Sequence, residues 1–278
     1  MDHQPFSVAI SVYKNDNPVY FDRALESITD KQTIKPDEIV LVVDGPVSEE
    51  IDAVIEKYSN RYCLNAIRLE TNGGLGNALR IATENCSNEL IARMDSDDVS
   101  VENRFEQQLS FFREHPETDI VGGNITEFIG EETNIVARRS VPTGNQAIRK
   151  YMKKRCAMNH VSVMFRKSSV LAAGGYQDWF WNEDYYLWIR MWLNNAVFAN
   201  TGSDLVNVRV GADMYKRRGG KKYFLSEKEL QRVMLRQGMI TYKDYYLNVT
   251  KRFIVQRMIP NSLRGWVFKR FARTDGTK

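Results

Sequence analysis

The chain has little cysteine and no long apolar run, and both absences narrow what it can be. Its three cysteines, Cys63, Cys86 and Cys156, are widely spaced and form no CxxC pair. That excludes a disulfide framework and a zinc knuckle, and it fits a reducing cytosol. No window reaches the ~20 apolar residues needed to cross a bilayer. The opening MDHQPFSVAISVY has no charged region followed by a long apolar stretch, so it does not read as a signal peptide. Internal repeats and low-complexity linkers are absent as well.

What remains is an ordinary globular composition, 43% hydrophobic over 278 residues. That is enough for one large α/β domain, or one domain with an appendage. The formal charge of +4 is unevenly distributed. Residues 211–278 carry 17 Lys+Arg against 5 Asp+Glu, and residues 1–210 carry 22 against 30. A basic segment of this size implies an anionic partner: nucleic acid, anionic lipid or pyrophosphate.

Over the first hundred residues strand and helix patterns alternate. Strands are expected at Ser7–Tyr13, Glu38–Val43, Leu64–Leu69 and Glu89–Met94. Helices are expected at Pro18–Thr29, Ser48–Tyr58 (with Ser48 capping) and from the Asn72–Gly76 turn to Asn85. This order implies a parallel sheet with helices on both faces and the strand C-termini along one edge. Farther on, the spacing gives a helix at Val101–Glu114 and strands at Asp119–Phe128 and Ile135–Arg138. A basic helix at Gln146–Lys154 and a strand at Val161–Phe165 come next. An aromatic-rich helix at Glu183–Leu193 precedes two short strands, Ala196–Ala199 and Leu205–Val210. Met214–Lys222 reads as a flexible loop, followed by helices at Phe224–Gln237, Thr241–Arg252 and about Leu263–Phe271.

The run LIARMDSDD, Leu90 to Asp98, is a short apolar strand that ends in Asp95, Asp97 and Asp98. Ligands of open α/β sheets bind at such strand ends. Two carboxylates one residue apart form an oxygen-rich cup for Mg²⁺ or Mn²⁺, ions that usually share their shell with a substrate phosphate. The alternative is an Asp/Ser turn that caps a helix. Asp44 ends the strand IVLVV and should share the same edge. It could accept from a ribose hydroxyl or a base N–H, or simply form a turn before Gly45.

Asn72-Gly73-Gly74-Leu75-Gly76 opens a helix whose N-terminus favours an anion. It lacks a Walker lysine, however, and a loop that needs positive φ would look the same. Arg80, one turn into that helix, could reach a phosphate or lie on a solvated face. Glu183 and Asp184 follow Trp179, Phe180 and Trp181, with Asn182 placed to cap. First-turn acids suit the macrodipole, and the same field helps keep Asp184 ionised, as a general base requires. Trp179 and Trp181 could stack on a sugar ring or pack in the core. His160 could bind a phosphate, orient an acceptor or be structural, and no Ser or Cys nearby makes it a nucleophile's base.

Six segments in order, SVAISVYKND, IVLVVDG, NGGLGNALRIA, ARMDSDD, NHVSVMFRKSSVLAAGGY and NEDYYLW, resemble glycosyltransferase family 2, the inverting GT-A class. The likeness covers residues 6 to 210 and extends loosely through MYKRRGG, a pattern seen in bacterial surface-polysaccharide assembly. It implies a Rossmann-like, mainly parallel sheet flanked by helices. Residues 1–210 would be the catalytic domain, with a nucleotide-sugar half to about 100 and an acceptor half from 101. Residues 211–278 would be a basic helical extension.

The resemblance also implies roles for particular residues. Asp44 would contact the donor nucleoside, with Tyr13 beside the base. Asp95 and Asp97 would be the DxD pair, with Asp97 the main ligand of Mn²⁺ or Mg²⁺, and Asp184 the catalytic base. Asn72, Arg80 and Ser96 complete the donor-binding set. Glu183, His160, Trp181, Arg217 and Arg218 are further active-site candidates. Two departures stand out: Gly45-Pro46 after Asp44, where relatives carry a second Asp, and Arg93 at an apolar strand position. The second is expected to leave the metal site alone.

The implied partners are a UDP-sugar and a glycan acceptor on polyprenyl pyrophosphate, with no nucleic acid. A cytoplasmic location follows. Arg264, Lys269, Arg270 and Arg273 interleave with Leu263, Trp266, Phe268 and Phe271. They could form an interfacial helix on the inner membrane face or a docked helix with a solvated basic side. The rival readings are a sugar nucleotidyltransferase, whose pyrophosphate loop is poorly matched by VYKNDNPVY, and a nucleic-acid binder that uses the basic tail.

Overall fold

A computed structural model describes residues 3–211 and 220–258. Four parallel strands lie side by side in the order β3, β2, β1, β4: Leu64–Arg68, Glu38–Val43, Phe6–Val12 and Leu90–Met94. Nearly every residue of β1, β2 and β4 is buried, which explains why they read as apolar runs rather than alternating ones. Helices α1 (Pro18–Ile28), α2 (Glu49–Ser59) and α3 (Leu75–Asn85) form the crossovers. Asn17 caps α1 through its side chain, with Pro at the first helical position, and Ser48 caps α2.

Beyond β4 the sheet becomes mixed. A two-residue strand, β5 (Val99–Ser100), and helix α4 (Arg104–Glu114) lead to the fully buried β6 (Ile120–Phe128). Strand β7 (Ile135–Arg139) and helix α5 (Asn145–Met152) follow, and then β8 (Met164–Arg166). Helices α6 (Lys167–Ala172) and α7 (Glu183–Leu193) precede β9 (Phe198–Arg209). The sheet continues from β4 through β8, β6 and β9 to β5, with β7 hydrogen-bonded to β6. β8 runs antiparallel to both β4 and β6, so it splices the parallel half onto the β6–β9 pair. Gly123 has no alternative here, because a Cβ would meet the Leu205 side chain at 2.5 Å.

Two apolar layers sandwich the sheet. Val8, Ile10 and Leu41 face α1, α2 and α4, while Ala9, Val40 and Val42 face α3, α5, α7 and the C-terminal helices. The helices α8 (Lys221–Arg236) and α9 (Tyr242–Phe253) form a hairpin on the second layer, where Leu230 and Met234 are buried. A capping box between Thr241 and Asp244 starts α9.

Four expectations change. Residues 201–204 continue a strand rather than break it, so β9 is one element of 12 residues. Residues 160–162 form a 3₁₀ turn, and the strand begins at Met164. The helix after β4 starts at Arg104 rather than Val101, because the chain first makes β5. Lys221 and Lys222 open α8 instead of ending a loop. The helix expected at Leu263–Phe271 lies outside the described residues.

Candidate active site

The parallel strands β2, β1 and β4 deliver their C-termini to one edge, as the register Val12↔Val43 and Ile10↔Met94 requires. Asp44 follows β2 and is buried. Its carboxylate accepts from the Gly73 N–H at 2.6 Å, the Gly74 N–H at 2.9 Å and the Asn72 side-chain amide at 2.9 Å. Asp44 thus ties down the glycine-rich turn. Gly45 makes this possible: its φ is +87°, and a Cβ there would stand 2.9 Å from the Asn72 nitrogen. The turn hands over to α3 at Gly74, whose φ of 85° favours glycine.

Asp95, Ser96, Asp97 and Asp98 follow β4 and diverge sharply. Asp95 is chelated through both oxygens by Arg93, whose side chain is 3% exposed. The expectation that Arg93 would leave this cluster alone is therefore wrong: its guanidinium is the cluster's built-in cation. A second buried arginine, Arg104, donates to the carbonyls of Arg93 at 2.7 Å and Val163 at 3.2 Å. Burial, and then the neighbouring Arg93, lower the Arg104 pKa to about 9. Asp98 is buried and accepts the Arg209 backbone N–H at 2.8 Å, which pins β9 to the cluster. Burial and the charges of Asp95 and Asp97 push its carboxyl well above the usual range.

Asp97 is different. Solvent reaches it, yet enclosure by protein first, and then the charges of Asp95 and Asp16, push its pKa up to about 6. Asp16 is the residue that sequence reasoning missed. It lies in the turn after β1 and accepts from the Tyr13 N–H at 3.1 Å and the Ser96 hydroxyl at 2.8 Å. Its pKa is raised by burial, with Asp95 adding to the effect. The only signal was the KND that ends the first quoted segment.

Glu183 and Asp184 open α7 beside this edge. A Cβ on Gly76 would touch the Glu183 Cβ at 3.5 Å, so the starts of α3 and α7 abut. Burial, and then Asp184, raise the Glu183 pKa to about 7, with Arg93 and Asp95 also acting on it. Asp184 accepts the Tyr185 N–H at 2.6 Å and lies 4.0 Å from the Cys156 sulfur. Cys156 is held as a thiol, its pKa pushed up to about 12 by burial and by Asp184. His160 shares a 2.8 Å hydrogen bond with the Tyr176 hydroxyl, and burial plus Arg93 keep it neutral.

Asn182 stands at the α7 N-cap but makes no capping bond. Its amide donates to the Ser226 hydroxyl at 3.0 Å instead. Trp179 packs on Tyr186 with centroids 4.2 Å apart, so it belongs to the core rather than to a sugar platform. Trp181 is 49% exposed with a left-handed backbone (φ 55°) and stacks on Phe180. Arg80 is bonded to Glu84 at 2.8 Å and Asn77 at 3.0 Å along its own helix, the arrangement of a solvated face. Arg217 and Arg218 lie outside the described residues.

The edge thus gathers carboxylates from β1, β4 and α7 beside a glycine turn clamped by Asp44. Residues 7–172 match the family described as glycosyl transferase family 2. The chain belongs to that family. A β-1,3-galactosyltransferase of Escherichia coli, named for UDP-Gal and GlcNAc-diphosphoundecaprenol, is 35% identical over 98% of this chain and 98% of its own. The amylovoran biosynthesis glycosyltransferase of Erwinia amylovora is 37% identical over 95% of this chain and 98% of its own. An uncharacterized glycosyltransferase of Haemophilus influenzae is 38% identical over 96% and 99%. Residues 1–349 of S. aureus TarS, solved with UDP-GlcNAc, superpose with a TM-score of 0.61 at 16% identity, covering 96% of this chain and 71% of that one. The fold is GT-A and the protein is a glycosyltransferase, which sets aside the nucleotidyltransferase and nucleic-acid readings. No described helix is long and apolar enough to cross a membrane.

Proposed function

We propose that this enzyme moves a hexose from a UDP-sugar onto a hydroxyl of a lipid-linked glycan, with inversion at the anomeric carbon. The observation that carries the reading is the convergence of Asp16, Asp95, Asp97, Glu183 and Asp184 beside the clamped glycine turn. The E. coli relative's name supplies a UDP-sugar donor and a diphosphoundecaprenol acceptor, and the TarS complex contains UDP-GlcNAc.

The donor set fits Mg²⁺ or Mn²⁺ bound mainly by substrate. Among the described residues no group of three or more metal-binding side chains is assembled, and the Asp95 oxygens are already taken by Arg93. Asp97 is the solvent-exposed acid of the run after β4, its pKa raised first by burial and then by the charges of Asp95 and Asp16, and a cation there would relieve that repulsion. One carboxylate plus waters and phosphate oxygens is a usual magnesium shell. A cation held by Asp97 would stabilise the charge on the departing diphosphate.

The chain's own residues do the rest. Asp184 takes the proton from the acceptor hydroxyl, and that oxygen bonds to the anomeric carbon opposite the UDP. The bond to the diphosphate oxygen breaks, and UDP leaves with the electron pair. Asp44 and Arg93 hold the turn and Asp95 in place, so little reorganises during transfer. Residues 1–100 would hold the donor and 101–210 the acceptor.

The test is a panel of UDP- and GDP-hexoses, scored for nucleoside diphosphate release in the presence of a polyprenyl-pyrophosphate-linked sugar, with Mn²⁺, Mg²⁺ or EDTA. A UDP-hexose that is turned over with metal and not with EDTA is expected. Metal-independent turnover, or unchanged activity in Asp97→Ala across a metal titration, would sink the metal assignment. A preference for GDP-sugars would sink the donor assignment.

A further inference from the structure

Helix α9 is built inside out. Tyr245 packs on the apolar layer, but the buried stripe beside it is polar: Asn248 donates to the Lys153 carbonyl at 2.9 Å and to Gln231 at 2.8 Å. Arg252 donates to the Lys154 carbonyl at 2.8 Å, and the Gln256 amide reaches Glu227. These are positions i, i+4 and i+8, one stripe of a helix. A surface helix of a soluble protein normally shows the reverse arrangement. The outward side of α9 and the turn that follows (Ile254–Met258) carries Tyr242, Tyr246, Leu247, Ile254 and Met258, between 45% and 72% exposed. Lys243, Lys251 and Arg257 are exposed with them. Residues 241–258 hold four cations and one acid, Asp244, and that acid is committed to the capping box.

We propose that this face is a membrane contact that takes anionic phospholipid headgroups, its aromatic and aliphatic side chains entering the acyl boundary. Large apolar side chains interleaved with cations are what interfacial binding requires, and the excess positive charge matches an anionic leaflet. The same charge argues against a second copy of the chain, because a two-fold contact would bring like charges face to face. The placement also suits the site. Ser226 of α8 accepts from Asn182 and donates to Phe180, just before Glu183 and Asp184. On the other side, Lys153 and Lys154, which receive α9, lie shortly before Cys156 beside Asp184. A hairpin resting on lipid would hold the catalytic carboxylates near the headgroup layer. That benefit rests on the lipid-linked acceptor proposed above, whereas the contact itself does not.

The full-length protein would be sedimented with vesicles of neutral phosphatidylcholine alone or with a quarter phosphatidylglycerol, at low and high salt. Wild type should partition onto the anionic vesicles in a salt-sensitive way. Tyr246→Glu/Met258→Glu and Lys243→Glu/Lys251→Glu should each weaken partitioning by at least about tenfold, with the melting temperature unchanged. UDP-sugar turnover on a detergent-soluble short-chain acceptor should also be unchanged. Wild type that stays in the supernatant, or variants that bind like wild type, would overturn the proposal. So would a concentration-dependent dimer that both variants abolish, because a second copy would then occupy the face. Vesicle binding without any UDP-sugar turnover would leave the contact standing and defeat the donor reading alone.

Discussion

Strands β2 and β4 run in parallel to the same edge and each ends in a carboxylate, but the molecule treats the two ends in opposite ways. Asp44 after β2 spends both oxygens on N–H donors of the turn at residues 72–74. The four residues after β4 concentrate three carboxylates beside two buried arginines, Arg93 and Arg104, with Asp16 added from the turn after β1. The lesson is that position on the sheet edge does not decide what an acid does. Where backbone donors satisfy it, the acid organises a loop. Where burial and neighbouring acids outweigh the donors, as at Asp97 and again at Glu183, the carboxyl is held above its ordinary pKa and takes up a proton more readily.

The largest effect should appear at α7. Asp184→Asn is expected to lower kcat by ~10²–10⁴-fold while donor affinity stays within about twofold. Single-turnover rates and isothermal titration with UDP-sugar would separate the two quantities. An equal loss of donor affinity would place Asp184 with Asp44, as an organiser rather than a base.

Arg93 tests the other side of the comparison. Arg93→Met takes away the cation that chelates Asp95 and leaves it facing Asp97 and Asp98, with Arg104 still nearby. Removing one partner of a buried pair costs ~3–5 kcal/mol, and less here because Asp95 is 32% exposed. The loss should shrink as pH falls and the carboxylates take up protons. Urea midpoints at pH 5 and pH 8 would show this, and an equal loss at both would mean that Arg93 matters for its packing alone.

How far the site could be read beforehand follows from the same physics. The strand–helix alternation up to Met94 was legible because strands buried on both faces must be apolar throughout. β9 was not, because its centre is Thr201-Gly202-Ser203-Asp204. That run looks like a turn, yet Asn124 donates to the Gly202 carbonyl and Arg138 pairs with Asp204. These are tertiary contacts that no local pattern encodes. The 3₁₀ turn at 160–162 was hidden likewise, since the Ser162 hydroxyl bridges Gly123 and Asn159. Carboxylates at strand ends announced Asp44, Asp95 and Asp97. Asp16 gave no such signal, lying four residues past its strand in a polar turn. Arg93 looked like an anomaly in a strand because its partner, Asp95, sits two residues on in the very motif it serves.

Asp44 should give a smaller effect. Asp44→Ala removes the acceptor for two backbone N–H groups that water can partly replace, at a cost of ~0.5–1.5 kcal/mol. Asp44→Asn, which keeps one acceptor oxygen, should recover part of it. Denaturant midpoints of the two variants would check the ranking. Full stability in Asp44→Ala would show that the turn holds itself, and that Asp44 is kept for the donor.

The smallest effect carries the sign of the argument. The carboxyl of Asp97 is raised from 3.8 to about 6, and that of Glu183 from 4.5 to about 7. Between roughly pH 4 and 7 the folded chain therefore binds more protons than the unfolded one, and stability falls as pH rises through that window. Replacing the ionisable group with its neutral isostere removes the fall. Asp97→Asn and Glu183→Gln should each melt about 2–4 °C above wild type at pH 8 and close to wild type at pH 4.5. If Asp97→Asn melts below wild type at pH 8, its carboxylate is satisfied after all, and the two strand ends are alike.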